Sequence, residues 1–375
     1  MEALGERIRL LRERRGMTQQ ELAERAGFSA HQIVSQIERG QRELKASELF
    51  RIARVLHVDL ESLGGAVPSG VPVVLWRKRP EGDWGGSEPE LVERCRRYRN
   101  VLTVIGDRPG HDLPKVEVDV AHLDCGVAEK AAQDFARRIG PCSDLASSLA
   151  EILEAQFGVQ VWFVDMGEQG GSAACSIGDY GAAVFVNSLD PPWRRNFDLA
   201  HEVFHLLTWD SLGPEVVNTD DTLWRRCERL ADMFAANLLL PADAVSIEVD
   251  HRRGDKGEIA WMDLIDIARR FGVSTEALLW RLKSLRRISE AQVLELKEDE
   301  SFKRLDRAAR RGSWWRPAPL PERFVRTAFM AHSKGYLSRL RLAEYLETNL
   351  AGLSDVLAEY GLWGTDDYQK ALATT

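Results

Sequence analysis

Residues 185–207 read FVNSLDPPWRRNFDLAHEVFHLL. Apolar residues at Phe197, Ala200, Phe204 and Leu207 recur every three or four positions, the spacing of a helix with one buried side. His201 and His205 stand at i and i+4, so both imidazoles share one face and can bind a single Zn²⁺, while Glu202 reaches the open coordination position. Zinc lowers the pKa of a bound water towards about 7 and polarises a peptide carbonyl. Glu202 would take the water proton and later deliver it to the leaving amine. The competing reading is two ordinary histidines on a half-buried helix. With 8 His in 375 residues, chance produces this pattern only about 0.01–0.02 times per chain, which favours the metal.

A catalytic zinc takes a third protein ligand, usually from a later helix. The segment Cys227-Glu228-Arg229-Leu230-Ala231-Asp232 offers one on such a helix, and Glu228 lies 23 residues beyond His205. Glu228 is the candidate third ligand. Asp232, one turn on, could accept the outer N–H of a ligand histidine. Most such acid pairs are solvated on a surface helix, but the run MFAANLLLP that follows argues for deep packing on one side.

Outward from this core, the chain divides by composition. Residues 3–62 read as short helices: Leu4, Ile8 and Leu11 at helical spacing, Thr18 with Glu21 as a capping box, Ser29 as the cap of a third helix, and Gly27 and Gly40 as punctuation. GGAVPSGVP then breaks the pattern. Residues 88–106 read as one amphipathic helix within a connector. Beyond it the expected order is helices at 127–139 and 143–157, strands at 159–165, 172–177 and 182–187 with a turn at Gly178–Gly181, and helices at 193–209, 222–240, 260–270 and 274–285. A charged connection leads to the proline-rich SWWRPAPLPERF, and 321–362 reads as three short helices. Trp314 and Trp315 there suit an anchor for the tail better than a stacking platform.

Composition excludes several classes. Hydrophobic residues at 44% and charged ones at 29% support real cores and exclude global disorder. Apolar runs are too short for a membrane span. MEALGERIRLLRERRG has no apolar core of a secretory leader. Five scattered Cys with no CxxC pair point to reduced thiols in a cytoplasm. The net charge of −8 argues against a protein that coats nucleic acid, although residues 1–60 hold eleven Arg/Lys against nine Asp/Glu.

Residues 127–285 resemble the ImmA/IrrE family of zinc metallopeptidases, through the 185–207 stretch, ERLADMFAANLLLP and ARRFGVSTEALLWRL. The resemblance implies a zincin-like body in a family whose members typically cleave or inactivate helix-turn-helix repressors after stress. Members often carry Asn where Asp232 stands. Residues 17–56, MTQQELAERAGFSAHQIVSQIERGQRELKASELFRIARVL, resemble the lambda-repressor-like (XRE-type) helix-turn-helix family, with one extra residue between Ser29 and Ile37. By that resemblance Ser29–Gln36 would enter the major groove, with Ala30, His31, Gln32 and Gln36 nearest the bases, and Gln19 and Gln20 would face phosphates.

The expected molecule is multidomain: an all-α helix-turn-helix head (1–64), a connector (65–126), an α+β zincin-like metallopeptidase body with the HExxH helix (127–288) and a small helical C-terminal module (289–375). Its expected cofactor is Zn²⁺. Its expected partners are a double-stranded DNA operator and a protein substrate, a helix-turn-helix repressor or antitoxin, with a homodimer reading a palindrome if one forms. The rival reading is a non-enzymatic repressor or antitoxin whose zinc fold is a sensor or structural body; a third is cleavage of the chain's own 64–125 segment. Strand 182–187 is either the edge that an extended substrate joins or a core strand. Tyr180 or His251 could stabilise the tetrahedral oxyanion, although a plain structural role suits each better.

Overall fold

The structure is a computed structural model, and it describes residues 4–5, 8–9, 11–12, 17–42, 44–56, 74–77, 88–107, 111–167, 173–217, 220–253, 259–310 and 315–362. The chain forms two compact units, residues 1–73 with 87–96, and 74–86 with 97–375.

The first unit is helical. Helices α1 (Gln19–Arg25), α2 (His31–Glu38) and α3 (Ala46–Val55) close over Ile8, Leu22, Val34, Ile37, Ile52 and Leu56. Thr18 caps α1 and Glu21 returns the bond to the Thr18 N–H at 2.7 Å, the capping box read from sequence. The third helix departs from expectation. Its N-cap is Ala30, which offers no side-chain oxygen, and Ser29 sits one residue too early to cap.

The second unit carries a four-stranded sheet in the order β1-β3-β4-β2, with β1 at Leu75–Trp76, β2 at Gln160–Val164, β3 at Ala173–Gly178 and β4 at Gly181–Asn187. β2 runs parallel to β4, and both β1–β3 and β3–β4 are antiparallel. The expected turn at Gly178–Gly181 closes the β3–β4 hairpin, with Gly181 at φ 97°. β4 is an interior strand buried along nearly its whole length, so it is not an edge for substrate; its unbroken apolar run reflects burial on both faces.

Helices α5 (Cys125–Ile139), α6 (Leu145–Phe157), α7 (Pro192–Leu207) and α8 (Asp221–Leu239) share one core with the sheet, drawn from residues such as Phe135, Leu153, Val184, Phe204 and Phe234. Then follow α9 (Ala242–Arg252), α10 (Trp261–Arg270) and α11 (Thr275–Ser284). The stretch taken as a charged connection holds two helices, α12 (Glu290–Glu298) and α13 (Glu300–Ala309), whose Val293 and Phe302 enter the same core. The tail forms the three expected helices, Glu322–Ser333, Arg339–Tyr345 and Leu353–Glu359. Its Phe324 ring lies 5.6 Å from Trp162 of β2 and 5.0 Å from Tyr98. Within 65–126, read as a connector, the structure has β1 at a sheet edge and α4 at Glu88–Ile105. Among the described residues no single helix is long and apolar enough to cross a membrane.

Candidate metal centre

Two helices build the site. Pro192 opens α7 at a position where its missing N–H costs nothing. Arg195, 2% exposed, ties the turn before it by donating to the Ser188 and Asp190 carbonyls at 3.1 and 3.0 Å. The same guanidinium donates to Trp315 O and lies 4.5 Å from the Trp315 ring centroid, so Trp315 is an anchor; Trp314 lies outside the described residues. α7 is thereby held so that His201, Glu202 and His205 all face inward, each at most 1% exposed. α8 brings up Glu228 and Asp232.

The ligand atoms of His201, His205 and Glu228 all lie within 4.8 Å of one another, a group that can hold a metal ion. His201 Nε2 is 3.2 Å from His205 Nε2, and His205 Nε2 is 3.1 Å from Glu228 Oε1. Asp232 Oδ1 sits 2.9 Å from His201 Nδ1. Accepting that N–H leaves the Nε2 lone pair turned towards the cluster. Trp224 stacks on the His205 ring at 5.7 Å.

Glu202 is the unusual member. Among the described residues both carboxylate oxygens are buried with no partner beyond the Cys175 thiol of β3. Burial lifts the Glu202 carboxyl to about 7. A buried carboxylate so poorly partnered costs about 1–3 kcal/mol or more in a finished core, a cost that a bound cation beside it would offset. Burial pulls His201 towards neutrality, but the Asp232 and Glu228 carboxylates outweigh it and raise the imidazole to about 9. Burial likewise opposes the charge on Glu228, yet the two histidines bring it down to about 2. Two nitrogens and a carboxylate oxygen, with a free acid alongside, fit zinc in donor type and number.

Sequence reading missed an outer ring of this site. Arg77, immediately after β1, is bonded to Asp198 of α7 and donates to Asp232 Oδ1 at 2.9 Å. Asp198 stands three residues before His201 on the same helix face, a spacing that could have flagged it. Burial pushes its carboxyl up to about 6, with Arg77 and Arg194 holding it down. No local signal could have flagged Arg77, 121 residues from Asp198. A cavity of about 790 Å³ opens beside the cluster, with Arg77, Phe197, Glu228, Asp232 and Trp280 in its walls.

The two oxyanion candidates fare differently. Tyr180 is buried with its hydroxyl 2.5 Å from Ser176 Oγ, so that hydroxyl is already engaged. His251 is exposed in the last turn of α9 and is not part of the metal-ligand group. In the helical unit, Ser29, His31, Gln32 and Gln36 are exposed and Ala30 is half-buried. Gln20 is exposed and donates to Glu24 at 3.2 Å. Gln19 is turned inward instead: its amide donates to Glu38 Oε2 at 2.8 Å, and Glu38 also pairs with Arg12 at 2.6 Å.

Residues 154–283 match the model of the IrrE N-terminal-like domain, a peptidase family, and residues 8–63 match the helix-turn-helix model. The two matches lie in tandem along the chain, the helix-turn-helix first. No curated protein matches it. Among solved structures, a Mycobacterium tuberculosis transcriptional regulator is 26% identical over 42% of this chain, with a TM-score of 0.32. The match spans 46% of that regulator, less than half its length. The helix-turn-helix match supports a DNA-binding regulator, and the IrrE-like match supports a metallopeptidase fold.

Proposed function

We propose that this fusion is a DNA-binding transcriptional regulator whose IrrE-like domain is a zinc endopeptidase, cutting a partner helix-turn-helix repressor or antitoxin in a stress or mobile-element defence response. The observation that carries the reading is Glu202: a carboxylate wholly buried, with only the Cys175 thiol against it among the described residues, beside two histidines and a second acid. A purely structural metal site closes its coordination with ligands and has no use for a further, non-ligating acid.

His201, His205 and Glu228 would hold the zinc. When bound, zinc supplies Lewis-acid polarisation of the scissile carbonyl and an acidified water. Asp232 fixes the His201 ring by taking its Nδ1–H. Glu202 accepts the proton of the attacking water and delivers it to the leaving amine, and its buried surroundings keep bulk water from competing.

The test is Glu202→Gln, which preserves size and hydrogen-bonding capacity but removes the base. Zinc content and fold should persist, while proteolysis of a tagged partner repressor falls by about 10²–10⁴-fold. Reporter derepression and partner proteolysis would be followed together in cells, with and without DNA damage. If wild type and variant behave alike in both assays, the protein is a non-enzymatic regulator.

A further inference from the structure

The sheet edge beside the metal centre is filled by the chain itself. Leu75 pairs with Cys175 and Trp76 with Ala174, and the Arg77 N–H donates to Ala173 O at 3.2 Å, so three successive residues run antiparallel along β3. This is the stretch of β3 whose Cys175 thiol adjoins Glu202. An extended peptide adding to a sheet edge is a common recognition mode, with main-chain bonds giving affinity and side-chain contacts giving specificity. The Arg77 side chain makes such a contact. It spans Asp198 and Asp232, and it shares Asp232 Oδ1 with the His201 ring. Its guanidinium also lies 5.9 Å from the Phe197 ring centroid. Yet among the described residues the ladder holds just these two pairs and the Arg77 bond, a short hold for a permanent strand.

We propose that the β3 edge is the peptide-binding edge of this domain, and that Leu75-Trp76-Arg77 fill it as a displaceable strap. The strap stands in for substrate: an extended segment with an apolar pair followed by a basic side chain that meets Asp198 and Asp232. What happens to a segment bound there rests on the peptidase reading above; occupancy of the edge does not.

The probe is a fluorescein-labelled synthetic peptide of residues 70–80, GVPVVLWRKRP, titrated by anisotropy against the full-length protein. Wild type should bind it weakly, because the tethered strap competes at high effective concentration. Arg77→Ala removes the strap's clasp but not the peptide's, and should bind about tenfold or more tightly, as expected for a lost charged hydrogen bond. A second variant pins the strap. Trp76 and Ala174 form a non-hydrogen-bonded antiparallel pair, at about 4.5 Å between Cα atoms, within disulfide reach. The double variant Trp76→Cys/Ala174→Cys, oxidised and with the bridge verified by mass mapping, should lose peptide binding and regain it on reduction. Equal binding by wild type, folded Arg77→Ala and the oxidised double variant would overturn the strap. Cleavage of the bound peptide by zinc-loaded Arg77→Ala, lost when Glu202→Gln is added, supports the peptidase reading. Binding without cleavage leaves the strap standing and counts against that reading.

Discussion

Asp232 Oδ1 receives an N–H from His201 and another from Arg77, so a single oxygen links a candidate metal ligand to the edge of the sheet. Removing it frees the His201 ring. Asp232→Ala should lower zinc affinity about 10–100-fold, and Asp232→Asn, which keeps an acceptor oxygen, should fall between it and wild type. Competition against a chromogenic chelator measures both. A second residue works through pH. Burial lifts the Glu154 carboxyl to about 8 from its ordinary 4.5, with the Val161 N–H its distant donor at 3.5 Å. The folded protein thus holds a proton that the unfolded chain has released. The corresponding stability is complete below about pH 4.5 and is lost as pH rises through about 8. Urea unfolding across that range should show the decline, and Glu154→Gln should make it shallower, the remainder belonging to Asp198 and Glu202, whose carboxyls burial also raises.

At the scale of elements, capping and turns were legible where their chemistry is local. Thr18 and Glu21 announced α1, and the Gly178–Gly181 turn announced the hairpin, because a cap or turn is decided within four residues. Helix α9 was not legible. Val245, Ile247 and Val249 alternate as in a strand, yet the helix buries Val245 and Val249 and leaves Ile247 66% exposed. Only packing against the body distinguishes those outcomes. α12 and α13 were hidden by their charge, since each sinks a single hydrophobic residue fully into the core, Val293 or Phe302, and packs the rest partly exposed. The turn between α10 and α11 yields a sharp prediction. Gly272 has φ +63°, and a Cβ there would meet the Ala146 Cβ at 2.7 Å. Its carbonyl also accepts from Asn196 of α7 at 2.9 Å. Gly272→Ala should destabilise the protein by more than about 1 kcal/mol, read as a lowered Tm.

For the whole molecule, DNA binding should rest on the exposed face of α2. Full-length protein is expected to bind its operator with affinity falling steeply as salt rises. Gln32→Ala with Gln36→Ala should cost about 1–3 kcal/mol at the bases they read and relax sequence preference there, as measured by anisotropy over a range of KCl. Unchanged affinity and preference would remove α2 from the recognition role. The sequence by itself determined the parts whose physics is short-ranged: the capping box of α1, the glycine turn of the β3–β4 hairpin, and the shared face of His201 and His205. Glu228 and Asp232 were also within reach, because a helix repeats its face every turn. Tertiary structure alone decided the rest. It made β4 an interior strand, buried the Glu202 carboxylate against the Cys175 thiol, turned Gln19 inward to Glu38, and brought Arg77 to Asp198 and Asp232. Those outcomes depend on which distant surfaces meet when the cores close. Spacing along the chain carries no record of contacts made across more than a hundred residues.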